Sequence, residues 1–189
     1  MKKYLIFILI SIILVACEET YTPKPHSFYR IELPAKDYQQ LVSKYPFTYE
    51  YPKYAEFVPF EQEGEKYWHN IDFSQYNATI NMSYRSLKKN KLSECIADAL
   101  TFVSKHEQKA RGIFEKEYTF PEGNVYGVVY DIKGTNVAST YQFFLTDSVN
   151  HFVRGALYFM ETPNNDSLEP VINFLKTDID RLVKTFEWK

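Results

Sequence analysis

The chain has 189 residues, with 22 lysines and arginines against 24 acidic residues, and its net charge of −2 excludes the basic surface on which nucleic-acid binding depends. This length is enough for one domain with a substantial hydrophobic core. The chain has only two cysteines, and because the first is assigned below to a membrane anchor, we expect no intrachain disulfide.

The N-terminus has the features of a bacterial lipoprotein signal. A basic start is followed at residues 4–15 by an apolar run that is too short for a membrane-spanning helix, which needs roughly 20 residues. The run ends in Ala16 and Cys17, a small residue directly before a cysteine. The sequence therefore predicts a signal peptide over residues 1–16 and attachment to a membrane through lipid on Cys17. A plain cleaved signal peptide with an incidental cysteine is the alternative.

The segment after the cysteine is predicted to be a tether. Residues 17–26 contain Pro23 and Pro25 and show no periodicity. At about 3.3 Å per residue, this segment could hold a domain up to roughly 30 Å from the bilayer. Cleavage removes two lysines and takes the net charge from −2 to −4. The rest of the chain, residues 27–189, is predicted to form a single domain.

The first part of this domain alternates between apolar and polar residues as strands do. We expect strands over residues 28–33 and 47–51, with a short helical turn over residues 37–43 between them. A hairpin over residues 67–73 and 78–84 follows. The second of these strands alternates most clearly, with Ala78, Ile80, Met82 and Tyr84 on one face and Thr79, Asn81 and Ser83 on the other.

The remaining elements complete an α+β pattern. A helical period predicts two main helices, at about residues 91–110 and 167–187. Between them, residues 113–120 are predicted to form one strand and residues 125–160 three antiparallel strands. The sequence therefore predicts a largely antiparallel sheet with both helices packed on one face.

Catalytic and metal-binding patterns are not found in the sequence. The four histidines are scattered, and none has a second ligand at a spacing typical of a metal site, so we expect neither a metal nor a cofactor. Ser139, Asp147 and His151 could be drawn as a hydrolase triad, but no sharp turn presents the serine as a nucleophile. We favour a hairpin turn and a strand-end histidine, and we expect no enzymatic activity. Cys95 lies on an apolar helix stripe, which predicts a buried, inert thiol.

Two surface features are candidates for recognition or modification. The strand face that carries Gln142, Phe152, Arg154 and Tyr158 combines charged and aromatic side chains, as partner surfaces do, although an ordinary solvent-facing strand would look similar. The triplets that contain Ser148 and Ser167 resemble the Asp-Ser-apolar sites at which some Bacteroidetes O-glycosylate exported proteins. Turn and helix-cap chemistry is the alternative that we favour for both triplets.

A family resemblance covers nearly all of the mature chain. The chain resembles the gliding-motility lipoprotein GldD family of the Bacteroidetes. The motifs that carry the resemblance are FYRI at 28–31, YPKYA at 51–55, WHNI at 68–71, YDIKG at 130–134, QFFLTDS at 142–148, HFVRG at 151–155 and NNDSL at 164–168.

The resemblance implies a cell-envelope lipoprotein that works with the machinery for gliding and for type IX secretion. It assigns no reaction, and the residue that it carries over is Cys17, as the site of lipidation. We expect the protein at the outer membrane, facing the periplasm, with other envelope proteins of this machinery as partners. A periplasmic carrier of a lipid or a glycan is the main alternative, and an envelope hydrolase is a further one.

Overall fold

The computed structural model describes residues 31–62 and 65–189, and Ile31–Lys189 form one compact unit. The predicted signal peptide, Cys17 and the tether lie outside the described residues. The described part contains two helices, α1 (Leu92–Ser104) and α2 (Asn165–Lys184). The strands are β1 (Tyr38–Gln40), β2 (Phe47–Thr48), β3 (Glu50–Pro52), β4 (Glu56–Gln62), β5 (Glu65–Phe73), β6 (Ala78–Ser86), β7 (Gly112–Phe120), β8 (Val125–Lys133), β9 (Ser139–Thr146), β10 (His151–Phe159) and β11 (Glu187–Trp188).

Seven strands form the central sheet in the order β4-β5-β6-β10-β9-β8-β7, and every neighbouring pair is antiparallel. The sheet consists of two meanders, β4 to β6 and β7 to β10, with α1 in the connection between them. The β6–β10 pair joins the meanders, in a register that sets Ser86 opposite His151 and Ala78 opposite Phe159. The α+β class and the largely antiparallel sheet are thus confirmed.

The two helices lie on opposite faces of this sheet, which corrects the expectation that both pack on one face. Phe143 and Leu145 of β9 belong to the hydrophobic cluster that includes α2, whereas Phe144 belongs to the cluster that includes α1. Every residue of β9 is buried. Large apolar side chains therefore occupy both faces of the central strands, and each face needs its own cover.

Helix α2 covers the larger cluster. Its inward stripe lies against buried residues of β6, β9 and β10, and the stripe consists of Val171, Leu175, Ile179, Leu182 and Val183. Phe186, just beyond the helix, stacks on Phe47 and Tyr49 with ring centroids 5.4 and 6.1 Å apart. Much of the aromatic content of the chain is therefore used in the core.

The start of the domain is tied to α2 by a buried carboxylate. Asp178 accepts hydrogen bonds from the Lys36 ammonium at 2.7 Å, the Tyr38 hydroxyl at 3.0 Å and the Tyr54 hydroxyl at 2.5 Å. Burial, followed by the bond to Asp178, raises the pKa of Tyr38 to about 12. This cluster fixes residues 36–54 on the helix.

Several boundaries differ from the sequence-based expectations. Helix α1 ends at Ser104, and the chain continues in turns in which Lys105 and His106 donate backbone hydrogen bonds to Thr101 and Val103. The helical turn expected over residues 37–43 is wrong, since β1 pairs there with β3. Strands β4 and β11 were not predicted. Of the strand expected over residues 28–33, the described residues 31–33 are not in a strand.

Candidate functional site

Helix α1 leaves part of its face of the sheet open. It packs on β9 and β10 through its buried residues Cys95, Ala99 and Val103. A pocket of about 350 Å³ opens between the helix and strands β4, β5, β6 and β10. We call this pocket the α1 groove. Its lining includes Phe60, Trp68, Asn70, Asn81, Ser83, Arg85, Asp98, Phe102, Phe152 and Arg154.

An aromatic wall forms one side of the α1 groove. Phe60 of β4 lies opposite Trp68 of β5 in the strand register, and the two rings stack with centroids 6.3 Å apart and an interplanar angle of 20°. The Trp68 indole N–H donates to the carbonyl of Tyr84 at 3.0 Å, which fixes the orientation of the ring. Phe60 is 46% exposed, so this wall offers apolar surface to solvent.

The floor of the groove is polar. The Asn81 Nδ2 donates to Asn70 Oδ1 at 2.8 Å, across a register pair of β5 and β6. The other half of each amide, Asn70 Nδ2 and Asn81 Oδ1, and the hydroxyl of Ser83 have no partner among the described residues. These groups lie in the lining of the pocket, so they can bind water or a ligand.

The remaining side of the groove is charged, with an excess of one positive charge. Arg85 pairs with Asp98 of α1 at 2.6 Å. Arg154 donates to Gln142 Oε1 at 2.8 Å, and its guanidinium carbon lies 4.1 Å from the centroid of the Phe102 ring. In the described ranges, Arg154 has no carboxylate within ion-pair distance. One guanidinium therefore faces the groove without a neutralising charge.

The surroundings of Arg154 add to this positive potential. The Lys105 ammonium lies 4.8 Å from the same Phe102 ring. The pKa of His106 is lowered, first by burial and then by the charges of Arg154 and Lys109. The groove is thus positive at the end formed by Phe102 and Arg154.

The structure places the residues of the predicted partner surface at different depths. Gln142 and Phe152 are buried beneath α1, with 1% and 3% exposure. Arg154 is half-buried and lines the α1 groove. Tyr158 is half-buried, lies opposite Thr79 and is not among the groove residues. The accessible part of the predicted surface is therefore the Arg154 end of the groove.

The hydrolase arrangement does not assemble from the residues proposed for it. Ser139 lies opposite Tyr158, seven residues along β10 from His151, a separation of about 23 Å. The imidazole of His151 pairs with the hydroxyl of Tyr84 at 2.8 Å. The Asp147 carboxylate caps its own turn, with Oδ1 accepting the backbone N–H groups of Val149, Asn150 and His151.

The two candidate glycosylation serines are exposed, and the acidic residue of each triplet is occupied in local structure. Ser148 lies in the β9–β10 turn, where its N–H donates to the Thr146 hydroxyl at 2.9 Å. Ser167 lies in the first turn of α2. The neighbouring Asp166 accepts hydrogen bonds from Arg111 at 3.2 Å and from Thr135 at 2.8 Å.

The described residues contain neither a metal-ligand cluster nor an activated thiol. Over residues 31–62 and 65–189, no group of three or more His, Cys, Asp or Glu side chains could hold a metal ion. Burial raises the pKa of the Cys95 thiol, as expected for an inert cysteine. Neither helix within those ranges is long and apolar enough to span a bilayer.

Sequence reasoning missed the α1 groove. The alternation of β6 had placed Asn81 and Ser83 on one face, and this was correct. However, the groove exists only because β6 pairs with β10, which brings Ser83 opposite Arg154. No local pattern in the sequence shows that pairing. The exposed ring of the aromatic wall, Phe60, comes from β4, a strand that the sequence did not indicate.

Comparison with known proteins finds similar solved structures and a matching family model. A search of the curated proteins finds no significant match. Among solved structures, the chain is similar to the solution structure of cyanobacterial PsbP (CyanoP) from Synechocystis sp. PCC 6803. The identity is 10% and the TM-score 0.49, over 85% of this chain and 98% of that chain. The family model of the gliding motility lipoprotein GldD matches residues 18–188, and the chain therefore belongs to the GldD family of gliding motility lipoproteins.

Proposed function

We propose that the protein is a non-enzymatic accessory component of the gliding motility and type IX secretion machinery. In this proposal, lipid on Cys17 holds it at the outer membrane, where its domain faces the periplasm and docks onto other envelope proteins of the machinery. The observation that carries the proposal is the family match, which spans residues 18–188 and so begins directly after the cysteine.

The edges of the sheet support a docking role. Strands β4 and β7 are the two edge strands of the central sheet. Pro59 lies within β4, and a proline cannot donate a hydrogen bond to an added strand. Strand β7 is nine residues long and contains no proline, and its Phe114 is 62% exposed. Of the two edges, β7 is therefore the better suited to pair with a partner strand.

The alternative of a carrier protein is favoured by one observation, the α1 groove. A lipid carrier needs an apolar cavity, because an acyl chain would leave buried amides and charges without hydrogen-bond partners. The groove contains Asn70, Asn81, Arg85, Asp98 and Arg154, so its lining disfavours a lipid. A glycan remains compatible with this polar and charged lining.

A clean chromosomal deletion tests the accessory role. We expect the deletion to abolish colony spreading and to reduce the amount of adhesin on the cell surface, with both restored by the wild-type gene. The purified domain should show no turnover of envelope polymers. Normal spreading and normal adhesin display in the deletion strain would contradict the proposal.

Complementation with two matched cysteine variants tests the lipid anchor separately from the folded domain. A gene with Cys17→Ala should fail to restore spreading, because the chain would lose its lipid. A gene with Cys95→Ala should restore it, since that buried thiol is assigned no role beyond packing. Equal rescue by both variants would show that the lipid is dispensable.

A further inference from the structure

We propose that the α1 groove binds a short acidic oligosaccharide, with a sugar ring on the Phe60–Trp68 wall and a carboxylate on Arg154. This inference rests on the geometry of the groove, and it holds whether or not the protein works with the gliding machinery.

The aromatic wall suits the apolar face of a sugar. The axial C–H groups of a pyranose carry partial positive charge, and the face of an aromatic ring is negative, so the two attract when stacked. The Trp68 N–H is already used by the Tyr84 carbonyl, which leaves the ring system as the part of this residue that can contact a ligand. Phe60 extends the wall towards solvent.

The floor provides the hydrogen bonds that sugar hydroxyls need. Asn70 Nδ2 is a donor, Asn81 Oδ1 is an acceptor, and the Ser83 hydroxyl can be either. The bond between the two amides fixes which atom of each is free and holds both in place before a ligand arrives. A hydroxyl group both donates and accepts, so this alternating set matches a hydroxylated ligand.

The positive charge of Arg154 favours an acidic ligand. The planar guanidinium of Arg154 keeps N–H groups beyond the one bound to Gln142, and such a fork matches a carboxylate. Asp98 neutralises Arg85 but does not contact Arg154. A carboxylate on the ligand would supply the missing negative charge.

The register sets the length of the ligand. Phe60 of β4 lies opposite Trp68 of β5, and Ser83 of β6 lies opposite Arg154 of β10. These residues therefore lie on four successive strands of the sheet. Three strand spacings separate β4 from β10, a distance of about 14 Å. A ligand that touches both the aromatic wall and Arg154 is thus longer than one sugar ring.

A peptide fits these features less well than a saccharide. Strands β5 and β6 lie inside the sheet, so their backbone groups are paired with neighbouring strands and cannot bind an added strand. The groups that remain free in the groove are side-chain amides, a hydroxyl and a guanidinium. Recognition there must come from a ligand with its own polar groups along its length.

The test is an array of oligosaccharides of two to four sugars, probed with the full-length protein in a detergent without a sugar headgroup. A glycosidic detergent would itself compete for the groove. We expect binding to members that contain uronic acids and at least tenfold weaker binding to neutral members of the same length. Trigalacturonate and its methyl ester form a matched pair with the same sugar backbone, in which the ester lacks the negative charges.

Two groove variants and one control identify the site. Arg154→Met should lower the affinity for trigalacturonate at least tenfold and leave the affinity for its methyl ester unchanged. Phe60→Ala should lower the affinity for both ligands by a similar factor. Phe114→Ala removes a ring that is 62% exposed on β7, away from the groove, and should change neither affinity. Circular dichroism confirms that each variant is folded.

Three results would overturn the inference. The first is no binding to any acidic oligosaccharide at millimolar concentration. The second is binding to acidic members that Arg154→Met leaves intact. The third is equal affinity for trigalacturonate and its methyl ester. The deletion phenotype is independent of all three, so the two proposals can fail separately.

Discussion

At the scale of single residues, Asp178 is a buried carboxylate that connects three side chains of one segment to α2. Its carboxylate is 1% exposed and accepts hydrogen bonds from Lys36, Tyr38 and Tyr54, which belong to the segment that leads into the sheet. Burial lowers the pKa of Lys36, and the hydrogen bond and charge of Asp178 oppose that shift. The carboxylate thus joins the segment to the helix, beside other contacts such as the ion pair between Glu50 and Arg181.

Replacing this carboxylate by an amide should be costly. We expect Asp178→Asn to lower the free energy of unfolding by about 2 kcal/mol, because it leaves a half-buried ammonium without its counter-charge. Urea unfolding followed by circular dichroism measures the change. Asp37→Asn is the matched control, since Asp37 pairs with Lys53 on an exposed surface and should contribute less than about 0.5 kcal/mol. Equal effects of the two variants would contradict this account.

His69 makes the stability of the domain depend on pH. It is fully buried, its Nε2 accepts from the hydroxyl of Tyr49 at 2.5 Å, and its Nδ1 lies 3.2 Å from the carbonyl of Tyr67. Burial lowers its pKa from 6.5 to about 4. Between these pH values the unfolded chain binds a proton that the folded chain does not. This contribution to stability is therefore complete above pH 6.5 and is lost as the pH falls towards 4.

The expected loss is about 3 kcal/mol between pH 6.5 and pH 4. Urea unfolding across this range measures it. His69→Gln should flatten that part of the curve, because glutamine does not titrate. His106→Gln should keep most of the slope, since His106 is only half-buried. Parallel curves for the wild type and His69→Gln would show that His69 is not the group responsible.

At the scale of elements, the central strands determine the three-layer arrangement. In β9, Phe143 and Leu145 face α2 while Phe144 faces α1. The sequence identified β8, β9 and β10 as strands and correctly placed Gln142 and Arg154 on one face. It could not show that a helix covers each face, because the pattern of a strand that is apolar on both faces does not indicate on which face a helix packs. Helix placement depends on contacts between residues distant in the chain.

Gly155 shows how closely these layers are packed. A Cβ atom at this position would lie 2.3 Å from the ring of Phe143 and 2.8 Å from the sulfur of Met82. Phe143 is 1% exposed, so its ring has little space into which to move. We expect Gly155→Ala to lower the free energy of unfolding by about 2 kcal/mol.

A second glycine provides the control for this prediction. At Gly112 an added Cβ would lie 3.2 Å from the ring of Phe114, which is largely exposed and can move aside. Gly112→Ala should therefore change stability by less than about 0.5 kcal/mol. Thermal and urea unfolding of both variants provide the comparison. A Gly155→Ala protein as stable as the wild type would mean that the β9–β10 layer is less tightly packed than described.

At the scale of the whole molecule, aromatic residues are found both in the core and on the surface. Aromatic residues make up 17% of the chain. Phe47, Tyr49, Phe73, Phe143 and Phe186 are fully buried, so the core takes a large share. Of the exposed phenylalanines, two lie at the α1 groove and two on β7: Phe60 and Phe102, and Phe114 and Phe120. The family is one of lipoproteins, and the described domain follows Cys17, which the sequence predicts to be its lipid anchor.

We propose that lipid on Cys17 places this domain at the envelope, where it acts by contact. The test is metabolic labelling with radioactive palmitate, followed by membrane fractionation and a spreading assay. We expect label on the wild-type and Cys95→Ala chains in the membrane fraction. For Cys17→Ala we expect no label, release from the membrane and loss of spreading. Label that persists on Cys17→Ala, or full spreading by an unlabelled and soluble chain, would contradict this proposal.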